Sequence, residues 1–77
     1  MAIVKTLSKE EVVRLQNYMR KVFGTEALQV RTRERANDSA EIYLRGEFLG
    51  VVSKDTEDGD ICYQVNMTIL DLDLNDA

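Results

Sequence analysis

Seventy-seven residues with a single cysteine make one domain at most and exclude an internal disulfide. Fourteen acidic against ten basic side chains give a net charge of −4, which repels phosphate at long range and counts against a general nucleic-acid role. The absence of histidine removes the commonest general base near neutral pH and the commonest metal ligand.

A chain this short buries only about 60–65% of its unfolded surface, so a dimer interface is a natural source of further buried area. Cys62 suits a reducing cytosol and reads as a small packing or surface group of a strand. The longest apolar run is the five residues 48–52, far short of a membrane span. Residues 1–4 are too few for a signal-peptide core, so the chain reads as soluble and cytoplasmic, without a membrane partner. Its charge is uneven: residues 1–35 carry a net +4 and residues 36–77 a net −8. Two such halves attract each other, within one fold or across a dimer.

The first element is a helix over about 9–23. Ser8 suits the N-cap, Glu11 three residues later closes a capping box, and Leu7 and Val12 take the staple positions. Val12, Leu15, Met19, Val22 and Phe23 form one apolar stripe. Gly24 stops the helix, and Arg20 and Lys21 suit its negative end.

Three short strands follow, at 27–33, 40–45 and 48–54. Residues 34–39 between the first two are polar and turn-rich. Gly46-Glu47 has the Gly-X pattern of a two-residue hairpin turn, which sets Arg45 opposite Phe48, Tyr43 opposite Gly50 and Ile42 opposite Val51. On that register Ile42, Leu44, Leu49 and Val51 face the core. Glu41, Tyr43, Arg45, Phe48, Gly50 and Val52 face away. After an acidic loop at 55–60, the stretch 60–70 alternates strictly. Ile61, Tyr63, Val65, Met67 and Ile69 share one phase, as in a long, half-buried strand grouped with Leu49 and Val51. Leu72 and Leu74 in the acidic tail are expected to extend that strand or dock on an edge, with the last few residues fraying. The predicted architecture is α+β: one N-terminal helix packed on a four-stranded antiparallel β-meander, α-β-β-β-β. The single domain 1–77 then divides into the capped helix at 7–24, the sheet at 27–70 and the acidic tail at 71–77.

Several short motifs occur in order along the chain. They are the helix opening Ser-Lys-Glu-Glu-Val-Val-Arg-Leu-Gln, the Phe23-Gly24 stop, Asn37-Asp38-Ser39-Ala40-Glu41, Gly46-Glu47-Phe48-Leu49-Gly50-Val51, Glu57-Asp58-Gly59-Asp60 and Met67-Thr68-Ile69-Leu70-Asp71-Leu72-Asp73-Leu74. Together they resemble a family of short alphaproteobacterial proteins classed only as a domain of unknown function, over about residues 8–74. The resemblance implies a bacterial, cytoplasmic, stand-alone protein. It implies no activity, cofactor or catalytic residue.

The residues themselves argue against catalysis. Cys62 lacks a histidine partner, Ser8 serves as a cap and Ser39 as a turn residue. The carboxylate pairs Asp58/Asp60 and Asp71/Asp73 lie on a loop and a tail, where solvated charge is the simpler reading. No cofactor is expected. The loop with Asp55, Glu57, Asp58, Gly59 and Asp60 superficially resembles a calcium loop. Aligning Gly59 on that loop's glycine puts Lys54, Thr56 and Val65 where carboxylates belong.

A sheet with one helix leaves one face open. Arg31, Arg33, Tyr43, Arg45, Phe48 and Val52 are the candidate binding residues of that face. Aromatic residues and arginines are enriched in protein interfaces, so a non-enzymatic protein-binding or regulatory module is the first expectation, with a homodimer or another protein as partner. The same face, used to stack and neutralise single-stranded RNA, is the alternative.

Overall fold

The computed structural model describes residues 5–75, apart from the side chain of Asp73. The expectations for residues 1–4 and for the last two residues lie outside the described part. Helix α1 spans Lys9–Phe23, and strands β1 to β4 span Leu28–Thr32, Ser39–Leu44, Glu47–Asp55 and Cys62–Met67. A single helical turn, α2, follows at Asp71–Leu74. The four strands form one antiparallel sheet in the order β1-β2-β3-β4. The predicted α-β-β-β-β meander is the observed one.

The start of α1 forms as its sequence dictates. The Glu11 N–H donates to Ser8 Oγ and the Ser8 N–H to Glu11 Oε1, each at 3.1 Å. This reciprocal box satisfies two of the N–H groups that a helix start leaves open. Leu7 and Val12 on either side are both buried. Of the predicted apolar stripe, Val12 and Met19 are buried and Leu15 packs partly against the core, but Val22 and Phe23 are exposed.

The hairpin differs from expectation by one residue. Leu44 pairs with Glu47, so the turn is Arg45-Gly46, with φ of 52° and 83°. Two positive φ values define the type I′ turn, whose twist matches that of the flanking strands. Gly46 therefore takes the second turn position and not the first. Tyr43 then pairs with Phe48, and Ile42 with Gly50, leaving Leu49 as an extra residue in a β-bulge. The one-residue change reverses part of β3. Val52 pairs with Ala40 and is fully buried, while Val51 pairs with Glu41 on the outer face. The expected pairing of Tyr43 with Gly50 does not occur.

Gly50 instead lies where the β4 backbone leaves no room for a side chain. A Cβ there would run into the Asn66 carbonyl oxygen, with Met67 Cα at 3.1 Å.

Helix α1 lies over the β1 side of the sheet. The Val30 N–H donates to Gln16 Oε1 at 3.0 Å, and Arg20 Nε donates to the Leu28 carbonyl at 2.7 Å. Two helix side chains thus satisfy backbone groups of an edge strand that would otherwise be open to another chain. The core beneath the helix holds Leu28, Val30, Ala40, Ile42 and Val52.

Strand β4 is shorter and barer than expected. Its residues Tyr63, Val65 and Met67 pair with Lys54, Val52 and Gly50, so they face the helix side of the sheet. They group with Val52 and not with Val51. Tyr63 is half-buried, but Val65 and Met67 are exposed because the helix lies over the other end of the sheet. Beyond β4 the tail forms the α2 turn and does not prolong the strand, and Ile69, Leu72 and Leu74 are exposed.

Candidate functional site

The outer sheet face brings together part of the predicted set. Arg31 and Tyr43 come from neighbouring strands, and the Arg31 guanidinium sits 4.1 Å from the centre of the Tyr43 ring. That is the geometry of a cation–π contact. Phe48, paired with Tyr43 across the hairpin, meets it edge-on, with centroids 5.7 Å apart and an interplanar angle of 76°. Gln29 Oε1 accepts from Arg31 Nη2 at 2.6 Å, and Tyr43 Oη donates to Glu41 Oε1 at 3.2 Å. Phe48 is exposed and Tyr43 half-buried, so the face presents one aromatic pair in a polar frame.

The other three candidates separate from this pair. Arg33 lies just beyond β1 and donates to the buried Ser39 Oγ at 3.2 Å. Arg45 is a turn residue whose N–H donates to the Ala27 carbonyl. Val52 is not on this face at all: the bulge places it in the core, so it cannot be a contact residue.

The helix side of the sheet holds a network that sequence patterning left unread. Lys54 Nζ lies 2.9 Å from Glu11 Oε2 and also donates to the Thr6 carbonyl at 3.1 Å. Tyr63 Oη donates to Glu11 Oε2 at 2.6 Å. The Lys54 side chain is only 4% exposed. Burial acts to raise the Glu11 pKa, but the hydrogen bonds from Tyr63, Lys54 and Ser8 outweigh it and hold the carboxyl at about 2. Burial, together with the Glu11 hydrogen bond and charge, pushes the Tyr63 phenol up to about 12. A carboxylate this weakly basic is a poor proton acceptor, and its oxygens are occupied by neighbours. The network ties the helix start to β3 and β4.

Beside it, α1 and β4 enclose an open groove of about 380 Å³. Leu15, Met19 and Val65 make it apolar, and Tyr18, Arg14 and Tyr63 line its sides. Tyr18, three residues after Leu15 and four before Val22, borders the apolar helix stripe and so reaches the groove beside Leu15 and Met19. The signal available was the excess of apolar residues on β4 over what one helix can cover.

The acidic loop leads from β3 to β4. Asp55 Oδ1 accepts from the Glu57 N–H at 3.0 Å, closing a local turn. Lys5 and Lys54 share the adjoining recess with Asp55 and Glu57. Among the described residues, no three carboxylate or thiol side chains converge as a metal site would require. No described helix is long and apolar enough to cross a membrane.

The fold and these surfaces define a small α+β protein: one helix over part of a four-stranded antiparallel sheet, with apolar surface left open on both faces. Residues 11–73 match the family of proteins of unknown function termed DUF3126, and the chain belongs to that family. No curated protein and no solved structure shows significant similarity to it.

Proposed function

We propose that the chain is a non-enzymatic protein-binding or regulatory module of the bacterial cytoplasm, with the Arg31–Tyr43–Phe48 cluster as the contact surface. The observation that carries this reading is the exposed Phe48 held edge-on against Tyr43 on a face that no helix covers. Aromatic side chains fixed by their neighbours lose little rotamer freedom on binding, and so contribute more per contact than mobile ones. Glu11, Lys54 and Tyr63, the most strongly coupled polar groups, are used by one another, which supports a role without catalysis.

The single-stranded RNA reading draws on the same residues and is weaker. Arg31 lies over a face of the Tyr43 ring on which a base would stack, and Glu41 adds negative charge beside it.

The test is a quantitative capture experiment with the wild type and a Tyr43→Ser/Phe48→Ser double variant. A specific protein partner that the variant loses, with circular dichroism unchanged, supports the reading. Capture unaffected by the double variant defeats it. Oligonucleotide binding that weakens steeply with salt and disappears with Arg31→Ala points to RNA instead.

A further inference from the structure

We propose that the chain forms a two-fold dimer in which the tail at residues 69–74 of each copy lies in the α1/β4 groove of the other. The proposal takes up the self-association open to a binding module, but it rests on the opposite side of the sheet from the Tyr43–Phe48 cluster.

The chain exposes more surface than its size requires. A folded monomer of 8.8 kDa exposes about 4,800 Å² by the usual size scaling. This chain exposes 6220 Å². Its radius of gyration is 13.6 Å, against roughly 11.5 Å for a compact chain of this length. A specific interface removes about 800 Å² from each partner, so the excess is large enough to supply one.

The groove and the tail are chemically complementary. The groove is apolar along Leu15, Met19 and Val65, with Val65 47% exposed. The tail offers Ile69 at 66% and Leu72 at 70% exposure. At the groove side, Arg14 makes no ion pair among the described residues, and neither does Asp71 at the head of α2. An apolar groove edged by a cation without an ion pair therefore meets an apolar segment headed by an anion without one. The basic N-terminal and acidic C-terminal portions of the chain carry opposite net charge in the same sense.

The tail does not fill its own groove. Among the described residues, none from the tail lines the cavity, and the molecule is elongated, measuring 49 × 24 × 23 Å. A second copy supplies the same tail and the same groove, so two-fold symmetry forms the contact twice.

The experiment is sedimentation equilibrium of the full chain over a wide concentration range. The expected result is a mass of two chains. Leu72→Asp/Leu74→Asp and, separately, Val65→Arg should each weaken the dimer at least about a hundredfold with circular dichroism unchanged. Should either apolar variant misfold, a charge exchange keeps the proposal open to refutation. Arg14→Glu and Asp71→Lys should each weaken the dimer about fivefold, and the two together should restore it. Tyr18→Cys with Leu72→Cys, in a Cys62→Ser background, should oxidise to a covalent dimer. A monomer at every concentration overturns the proposal. So does a dimer insensitive to all these changes, or a disulfide that closes within one chain. Tyr43→Ser/Phe48→Ser should leave this dimer intact, so failure of the dimer and failure of the outer-face reading remain separable.

Discussion

Tyr63 and Glu11 are 52 positions apart in sequence, yet the Tyr63 phenol donates to the Glu11 carboxylate at 2.6 Å. The bond joins the bare edge strand to the first turn of the helix. It occurs where the helix lies too far toward β1 to cover β4 directly. Lys54, from the strand between them, completes the tie at 2.9 Å. The strand with the least apolar cover is thus held by a polar network at its start.

The network sets how stability varies with acid. The Glu11 carboxyl is held at about 2 in the folded chain against an ordinary 4.5. A depressed folded-state value means stability that is present above pH 4.5 and lost as pH falls from 4.5 to 2. The loss amounts to about 3 kcal/mol at most. Glu11→Gln can keep the capping box but strands the buried Lys54 charge. It is expected to cost about 3 kcal/mol at pH 7 and to flatten the acid limb between pH 4.5 and 2. Urea unfolding across that pH range measures both.

The alkaline side carries the opposite sign. The Tyr63 phenol is raised to about 12 from 10, so its contribution is complete below pH 10 and lost as pH rises through 12. A tyrosinate absorbance step near pH 12 is expected in the wild type and absent in Tyr63→Phe. That substitution also removes a hydrogen bond to a charged group and should cost about 2 kcal/mol near neutrality.

Gly50→Ala tests the close approach of β3 and β4. The added methyl meets backbone at Asn66 and Met67, which cannot swing aside as a side chain can. An expected loss of about 1–3 kcal/mol should be accompanied by faster amide exchange in β4. Unchanged stability and exchange would mean that the two strands do not approach this closely.

Arg45 sits at φ 52°, a conformation that Asn adopts more readily than Arg. Arg45→Asn converts the turn to Asn-Gly, the preferred type I′ pair, and should stabilise by about 0.5–1 kcal/mol. Arg45→Val should destabilise by at least as much. The change in the urea midpoint, at constant slope, reads both.

A core contrast reports the register. Val52→Ala should cost about 1–3 kcal/mol because Val52 is fully buried, whereas Val51→Ala on the outer face should cost well under 1 kcal/mol. The reverse order would restore the register with Val51 inside.

How much of this was legible in the residues depended on the range of the interaction. The helix start was readable because a capping box is local: Ser8, Glu11, Leu7 and Val12 lie within one turn of each other. The four strands and the family resemblance followed from short alternating runs and ordered motifs, whereas the order of the outer strands came from the structure. The hairpin register was not readable. Gly46 serves either position of a two-residue turn, and the positive φ of Arg45 and the bulge at Leu49 satisfy strand twist, which no local pattern encodes. That one-residue change moved Val52 from the candidate site into the core.

Local sequence thus determined where the helix and strands form, because propensity, capping and alternation act over a few residues. Tertiary structure decided which faces are buried. The helix has one width, and Gln16 and Arg20 fix it over β1 by bonding the strand's open backbone groups. Once it is there, the alternation of β4 remains a correct strand pattern, but its apolar phase faces an open groove. Burial is a property of how much cover the rest of the chain can supply, and a single helix cannot cover four strands.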